Sequence, residues 1–140
     1  MFGKRRKVEN GGQRLRGLAF FEGFADADLD RVAALTDDVE VEAGELLMEQ
    51  GRVGQECFVI EEGTAGVFVA DELVCTLGPG SMVGEMALVD HRPRSATVVA
   101  DTPMRLLAFD AAAFRSLLGE MPKAEERVLT LLADRLRPKR

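Results

Sequence analysis

The spacing of hydrophobic and polar positions changes twice along this chain. In FADADLDRVAAL (24–35) apolar residues recur every three to four positions and acids come early, which predicts a short amphipathic helix. From Val39 onward apolar and charged residues alternate, as in short strands. Further strand-like runs, bounded by glycine and proline, are CFVIEEG, TAGVFVA, ELVCTLGPG and SATVVA. Asp71–Glu72 is predicted to form the tip of a tight hairpin.

Helix signals return after the last predicted strand. Asp110 precedes AAAFRSLLGE and is a favourable N-cap residue. Pro122 opens KAEERVLTLLADRLR, which has acids at its start and bases at its end, as the helix dipole favours. The pattern therefore predicts a mainly β fold with flanking helices and seven or eight short strands. Such strands favour a sandwich or a jelly-roll barrel, whose mouth can hold a small ligand.

The composition narrows the class of protein. A chain of 140 residues with 46% hydrophobic and 30% charged residues fits one globular domain with a sizeable core. Two cysteines are too few for a disulfide framework, so we expect a reducing, cytoplasmic location. The N-terminus lacks the apolar run of a secretory signal, and no stretch approaches the ~20 apolar residues of a membrane span.

The formal net charge of −6 is unevenly distributed. Residues 1–16 carry six basic side chains and one acid, residues 134–140 carry four and one, and the segment between them is strongly acidic. An acidic body argues against broad nucleic-acid binding by the domain itself. We interpret residues 1–16 and 137–140 as basic, flexible tails around a domain at 17–136. Contact of the tails with an anionic partner is the alternative.

One stretch, VGEMALVDHRPRSATV (83–98), places charged residues in a short, mostly apolar loop. A helical turn at its start would expose backbone N–H groups suited to an anion, from Gly84, Glu85, Met86 and Ala87. The guanidinium of Arg94 can hold two oxygens of one phosphate. Glu85, an acceptor when ionised, suits sugar hydroxyls and repels phosphate. The stretch therefore predicts a site for a ribose and its phosphate.

These candidate residues also have purely structural interpretations. Arg94 can be a surface arginine, and Glu85 can be an acid favoured at a helix N-terminus, a role compatible with ribose binding. Glu85 can also pair with Arg94 before a ligand arrives. Ser95 can bond the backbone at a strand start or contact the phosphate or the base, and the residues alone leave both options open.

The same stretch resembles the phosphate-binding segment of the cyclic nucleotide-binding domain family. That family includes regulatory subunits of cyclic AMP-dependent kinase, cyclic nucleotide-gated channels and catabolite activator proteins. The residues that fill the fixed positions of the family pattern are Val83, Gly84, Glu85, Ala87, Leu88, Arg94, Ser95, Ala96, Val98 and Ala100. Upstream, LMEQGRVGQECFVIEEG (47–63) resembles the glycine-marked hairpin before the middle strands of the family's barrel.

The resemblance covers roughly residues 18–136 and implies both fold and ligand. The implied fold is an eight-stranded antiparallel jelly-roll β-roll with short N-terminal helices and two C-terminal helices. The implied ligand is cyclic AMP, with cyclic GMP as the alternative, bound through Arg94 and Glu85. In relatives, threonine after the phosphate arginine favours cyclic GMP, whereas serine occurs in cyclic AMP binders. Ser95 therefore indicates cyclic AMP with modest discrimination.

Two positions depart from the family pattern. Val83 stands where many members have phenylalanine, which weakens the hydrophobic coupling of this segment to the helices more than it affects ligand contact. Arg52 stands where an acidic or small polar residue is usual. In some members an acid there supports the phosphate arginine, so this chain is expected to lack that support.

The resemblance also implies that the last helix covers the base. Leu129, Leu132 and Leu136 share one helix face, which we expect to pack on the barrel. Arg135 lies beside that face and can stack its guanidinium plane on the purine. A solvent-exposed arginine favoured near a helix C-terminus is the alternative.

These features favour a binding module over an enzyme. Jelly-roll metal enzymes need clustered ligands, commonly several histidines, and this chain has only His91. Because the sequence ends at Arg140, just after the last predicted helix, we expect no helix-turn-helix and no direct sequence-specific DNA binding. We expect a stand-alone cyclic nucleotide sensor without cofactor or metal, which regulates an unidentified protein partner or acts as a homodimer. The alternative is a ligand-free structural or oligomerisation domain of the same fold.

Overall fold

The computed structural model of the chain describes residues 3–8, 14–84 and 93–136. In chain order the strands found there are β1 (Lys4–Lys7), β2 (Asp37–Val41), β3 (Leu46–Met48), β4 (Glu56–Glu62), β5 (Ala65–Val69), β6 (Glu72–Leu77), β7 (Met82–Val83), β8 (Thr97–Ala100) and β9 (Met104–Asp110). They form two antiparallel sheets, one in the order β1-β2-β9-β4-β7 and one in the order β3-β8-β5-β6. The predicted mainly β fold is confirmed.

Helices lie before and after the strands. They are a 3-10 turn (Ala19–Phe21) and the α-helices α1 (Asp26–Leu35), α2 (Ala111–Glu120) and α3 (Pro122–Leu136). Helix α2 begins where the sequence predicts, because the carboxylate of Asp110 accepts a hydrogen bond from the backbone N–H of Ala113 at 2.7 Å. None of the helices in the described ranges has the length and apolar character needed to cross a membrane.

Strand β4 separates two hydrophobic cores. Its central residues Cys57, Phe58, Val59 and Ile60 are all buried, although successive side chains point to opposite faces of the sheet. Phe58 and Ile60 belong to the core between the two sheets, whereas Cys57 and Val59 pack with the helices. The continuous apolar run therefore reflects a strand that is covered on both faces.

Strand β1 differs from the flexible tail predicted for residues 1–16. Lys4–Lys7 pairs antiparallel with β2, from Lys4 opposite Glu40 to Lys7 opposite Asp37. Acidic side chains of β2 supply partners for this basic segment, as in the Arg6–Glu40 ion pair at 2.7 Å. With β1 included, nine strands are present in the described residues, one more than the eight implied by the resemblance.

The hairpin between β5 and β6 turns one residue earlier than predicted. Val69 pairs with Glu72, so the two-residue tip is Ala70–Asp71 rather than Asp71–Glu72. Both tip residues have positive φ angles, 50° and 67°, which is the backbone geometry of a tight hairpin turn that matches the twist of the strands. Neither residue is glycine, which explains why the sequence did not mark the turn.

The buried face of α3 is shifted from the predicted one. Leu129 is 57% exposed, so its predicted packing on the barrel is wrong. The helix instead buries Ala124 and Val128, which continue a face that begins at Met121. Spacings of three and four residues define this face, and Leu129 lies about one residue's rotation away from it. The side chains of Leu132 and Leu136 lie outside the described part of the chain.

Candidate functional site

The backbone of Arg94 is held by the hairpin loop between β3 and β4. Its N–H donates to the carbonyl of Arg52 at 2.7 Å, and its carbonyl accepts from the N–H of Gly51 at 2.8 Å. The preceding Pro93 forms an isolated bridge with Val53. The two stretches that the sequence singled out, 47–63 and 83–98, are therefore in contact at the point where the chain enters β8.

The guanidinium of Arg94 lies between the ends of two neighbouring strands. Nη1 donates to the carbonyl of Gly84, just after β7, at 2.8 Å. Nη2 donates to the carbonyl of Glu56, the first residue of β4. Arg94 is only 7% exposed, and a buried cation needs such hydrogen bonds to offset lost solvation. The two carbonyls orient the guanidinium and add no full negative charge of their own.

Two glycines make room for this guanidinium. A Cβ at Gly54 would overlap the guanidinium carbon of Arg94, far inside van der Waals contact. A Cβ at Gly84 would lie 2.6 Å from Nη1, and Gly84 also has a φ of +88°, which side chains other than glycine rarely adopt. The close approach of backbone to guanidinium therefore depends on glycine at both positions.

The structure places four of the predicted site residues around this point. Val83 is buried in the core between the sheets and pairs with Phe58 of β4. Gly84 follows it and contacts the guanidinium of Arg94. Ser95 is exposed beside the buried Arg94, so its side chain is accessible from solvent. Val83, Gly84 and Arg94 are thus brought together, with Ser95 at the surface next to them.

The remaining predicted site residues lie outside what the structure describes. Glu85, Met86 and Ala87 fall in the stretch from 85 to 92, so their proposed contacts with ribose and phosphate stay predictions. Arg135 lies in the last turns of α3, but its side chain is not among those described. Its role at the base therefore also stays a prediction.

Arg52 does not take part in holding the guanidinium through its side chain. That side chain is 79% exposed and pairs at the surface with Glu49 at 2.9 Å. The carbonyls of Gly84 and Glu56 provide the support that the acid of other family members was expected to give. The sequence marked Gly54 only as a glycine of the family's hairpin, without its role beside Arg94. It missed Glu56, because a backbone carbonyl leaves no signal in residue type.

The first half of α3 is fixed to the N-terminal 3-10 turn. The guanidinium of Arg127 donates to the carbonyls of Ala19, Phe20 and Glu22. One turn earlier, Nζ of Lys123 donates to the carbonyl of Gly23 at 2.6 Å. Cations that satisfy carbonyls at the end of a helical turn are favourable partners. Any movement of α3 is therefore expected to be largest after residue 128.

A separate cleft lies elsewhere in the molecule. It has a volume of about 620 Å³, lies beside β1, β2 and β9, and is lined in part by Glu40, Glu45 and Glu62. Of the predicted site residues that the structure describes, none lines it. Its carboxylates outnumber its two cations, Lys4 and Arg105, so the cleft does not favour the phosphate that the motif predicts.

The family of the chain follows from comparison with known proteins. Residues 38–121, more than half of the chain, match the family model described as the cyclic nucleotide-binding domain. The matched range contains β2–β9 and every described residue around Arg94. The chain belongs to the cyclic nucleotide-binding domain family, and the predicted resemblance is confirmed.

Individual relatives include a kinase regulatory subunit, a potassium channel and a catabolite activator protein. The chain is 35% identical over 113 residues to the cAMP-dependent protein kinase regulatory subunit of Eremothecium gossypii, across 76% of this chain and 25% of the relative. It is 33% identical over 123 residues to a cyclic nucleotide-gated potassium channel of Rhizobium etli, across 88% of this chain and 34% of the relative. The solved structure of Thermus thermophilus catabolite activator protein matches with 29% identity and a TM-score of 0.77, across 84% of this chain and 58% of that one. The chain spans about a quarter to a third of the two curated relatives.

Proposed function

We propose that this chain is a cyclic nucleotide sensor that binds cyclic AMP in preference to cyclic GMP. The observation that carries the proposal is the guanidinium of Arg94, buried and oriented by the carbonyls of Gly84 and Glu56. A planar guanidinium of fixed orientation suits two oxygens of one phosphate. Membership of the family supports a nucleotide ligand, and the exposed Ser95 beside Arg94 supports modest selection between the two bases.

The other contacts follow from the motif. In this proposal backbone N–H groups between Gly84 and Ala87, including that of Met86, bind the phosphate beside Arg94. Glu85 accepts hydrogen bonds from the ribose hydroxyls. Val83 anchors the start of the segment in the core. The chain is proposed to bind its ligand without reacting with it, and to need neither metal nor cofactor.

We propose that nucleotide binding is transmitted to a partner by movement of α3. Contacts of Arg127 and Lys123 fix the first half of the helix, which supports a hinge after residue 128. Arg135 would then cover the purine when the nucleotide binds. The domain at 17–136 is proposed to act in the cytoplasm on a protein partner, or within a homodimer, through this change in the helix.

A thermal shift experiment separates a sensor from a structural domain of the same fold. Cyclic AMP, cyclic GMP and adenosine, which lacks a phosphate, are compared at equal concentrations. A ligand that binds only the folded state stabilises it by about 2.7 kcal/mol at a hundredfold excess over Kd. We expect a raised melting temperature with cyclic AMP, a smaller rise with cyclic GMP and none with adenosine. No shift with any of them would favour the structural alternative.

Hydrogen exchange tests the helix movement. Amides of residues 123–137 and 84–95 are compared with and without cyclic AMP. We expect protection in both segments, with the change in α3 concentrated after residue 128. Protection of 84–95 alone would mean that α3 is rigid and that the signal leaves by another route.

A further inference from the structure

We propose that Arg5, on the N-terminal edge strand, is a positioning residue for Arg94 and acts through Glu56. The inference rests on the proposed function, because the position of Arg94 is assigned to ligand binding there. It adds an element outside the matched family range, since β1 lies well before residue 38. The N-terminal strand would thus affect the affinity of the nucleotide site without contacting the ligand.

The direction of Arg5 follows from the register of β1. Arg5 pairs with Val39, whose side chain lies in the core between the sheets, so Arg5 points to that side. Arg6 pairs with Asp38 and points to the opposite face. The side chain of Arg5 is 18% exposed, whereas that of Arg6 is 53% exposed. Two adjacent arginines of one strand thus lie in different environments.

Arg5 makes a two-pronged ion pair with Glu56. Nη1 and Nη2 of Arg5 lie 2.6 Å from Oε2 and Oε1 of Glu56, so both carboxylate oxygens are engaged. Bidentate pairs fix relative orientation as well as distance. Both side chains are largely shielded from solvent, which reduces screening by salt. The pair therefore restrains the side chain of Glu56 strongly.

Glu56 carries this restraint to the site. Its carbonyl accepts the hydrogen bond from Nη2 of Arg94, so one residue contacts Arg5 through its side chain and Arg94 through its backbone. Glu56 is the first residue of β4 and pairs with Asp110 of β9. On the other side, within the described part of the chain, the register with β7 covers Phe58 and Val59. The ion pair with Arg5 adds a side-chain restraint to the ladder that holds this strand end against β9.

Loss of Arg5 is expected to act in two ways. The end of β4 gains freedom, so its carbonyl holds the guanidinium of Arg94 less well. The carboxylate of Glu56 also loses a close cation near the place where a phosphate is proposed to bind, and like charges repel. Changes in residues that couple to a site without touching its ligand alter affinity by about two- to thirtyfold. We expect Arg5→Ala to weaken cyclic AMP binding within that range.

Neighbouring residues supply matched controls. Arg6→Ala removes an arginine from the same strand, and with it an exposed ion pair to Glu40, without touching Glu56. Arg5→Lys keeps the charge but not the bidentate geometry, so we expect an intermediate affinity. Glu56→Gln keeps the carbonyl and removes the ion pair, and adding Arg5→Ala to it should cost little more. All Kd values are measured at a temperature where each variant is folded.

A second readout needs no ligand. Arginine side-chain NMR follows the solvent exchange of the Arg94 guanidinium protons, which hydrogen bonds slow. We expect faster exchange in Arg5→Ala and an unchanged rate in Arg6→Ala. If the two variants behave alike in this measurement, the inference is wrong whether or not the chain binds a nucleotide. If exchange responds as expected and cyclic AMP does not bind, the proposed function is wrong and the positioning role of Arg5 stands.

A merely structural role for Arg5 gives a different pattern. It would lower the melting temperature and leave both the Kd and the exchange of Arg94 unchanged. Equal effects of Arg5→Ala in the parent and in the Glu56→Gln background would likewise overturn the route through Glu56. A weaker Kd that disappears in the Glu56→Gln background is the result that supports it.

Discussion

Arg94 and Arg14 are both largely buried, yet the partners described for them differ in kind. Arg94 donates to two backbone carbonyls at the ends of β7 and β4. Arg14 donates to two carboxylates, with Nη1 at 3.0 Å from Asp38 and Nη2 at 2.8 Å from Glu61. Those carboxylates are themselves nearly buried, with 2% and 8% of their side-chain surface exposed. Both arginines are shielded from solvent, but the hydrogen bonds described for Arg14 go to carboxylates and the two described for Arg94 go to backbone carbonyls.

This difference is the basis for assigning Arg14 a structural role and for proposing Arg94 as the binding arginine. Carboxylates neutralise the charge of Arg14, so its contacts link the N-terminal segment to β2 and β4. The carbonyls of Gly84 and Glu56 fix the orientation of the Arg94 guanidinium. A guanidinium of fixed orientation is suited to two oxygens of one phosphate.

Burying the carboxylates around Arg14 costs solvation energy, and the raised pKa of Glu61 shows this cost. Burial raises the pKa of Glu61 above its ordinary value of 4.5, although hydrogen bonding and attraction from Arg14 act in the opposite direction. Oδ1 of Asp38 has no hydrogen-bond partner within the described residues, although Nε of Arg105 lies 3.5 Å away. Buried ion pairs of this kind hold elements together without adding much net stability.

The largest expected effect comes from removing Arg14. Arg14→Ala leaves the carboxylates of Asp38 and Glu61 buried without their main cation. Breaking a buried ion pair from one side costs about 3–5 kcal/mol of unfolding free energy, and we expect the lower end because Arg14 is 21% exposed. Urea unfolding measures the loss. The Kd for cyclic AMP should stay within twofold of the parent, and a large loss of affinity would contradict the separation of roles.

Removing Arg94 should weaken binding of cyclic AMP and leave the stability of the fold largely unchanged. Arg94→Ala is expected to cost about 2–5 kcal/mol of binding free energy for cyclic AMP, a loss well over tenfold, with the fold largely intact. Arg52→Ala is the matched control, because Arg52 is a nearby arginine whose ion pair with Glu49 is exposed. Titration calorimetry on both variants measures the difference. Equal affinity of Arg94→Ala and the parent would mean that the site is wrongly assigned.

A smaller change, Gly54→Ala, tests the position of the Arg94 guanidinium without removing its charge. Gly54→Ala places a methyl group where the guanidinium carbon now lies, so the side chain must move. We expect affinity for cyclic AMP to fall about tenfold, close to the low end of the loss for Arg94→Ala. Gly78→Ala is the control, because a Cβ there meets no atom within 4 Å. Unchanged binding by Gly54→Ala would show that the observed position of the guanidinium is not required.

The pH dependence of stability tests the Arg14 cluster. Because the pKa of Glu61 is raised in the folded protein, the folded state holds this proton more tightly than the unfolded chain. The resulting stabilisation is complete at pH values below 4.5, the ordinary pKa of the group, and is lost as the pH rises through the raised pKa of the folded protein. Glu61→Gln should remove this fall from the stability profile, whereas Glu62→Gln, at an exposed neighbour, should keep it. Urea unfolding over pH 4–7 decides whether the two profiles differ.

The smallest effect concerns the residue beside Arg94. Ser95→Thr adds one methyl group at an exposed position and should shift selectivity toward cyclic GMP by a few-fold, within the 1–3 kcal/mol that a single methylene supplies at most. Competition binding with both nucleotides measures the ratio. A parent protein that already prefers cyclic GMP tenfold or more would contradict the assignment of Ser95 to cyclic AMP.

Much of the fold was predictable, because alternation and caps are local properties. The run Cys57–Ile60 and the N-cap Asp110 indicated β4 and α2 correctly. Strand β1 was not predictable from its own residues, since Lys4–Lys7 has no apolar alternation and depends on acids of β2 far along the chain. The buried face of α3 was misplaced by one residue, because Leu129 suits a buried face as well as Val128 does.

The site was predictable where side chains carry the chemistry. The motif named Val83, Gly84 and Arg94, and the structure places these three residues side by side, while their contact with a ligand stays a prediction. It did not indicate that Glu56 holds Arg94, because the contact uses a backbone carbonyl that every residue type possesses. Gly54 was recognised as a glycine of the family's hairpin, but the reason that a Cβ is excluded there, the guanidinium lying against it, was not. Contacts of this kind come from tertiary approach and leave no pattern in the sequence.

Titration calorimetry of the parent protein with cyclic AMP and with cyclic GMP tests whether the chain is a cyclic nucleotide sensor that binds through Arg94. We expect one cyclic AMP per chain, a preference over cyclic GMP of less than tenfold, and loss of both signals in Arg94→Ala. If neither nucleotide binds, or if Arg94→Ala binds as well as the parent, the proposed function or the proposed site is wrong.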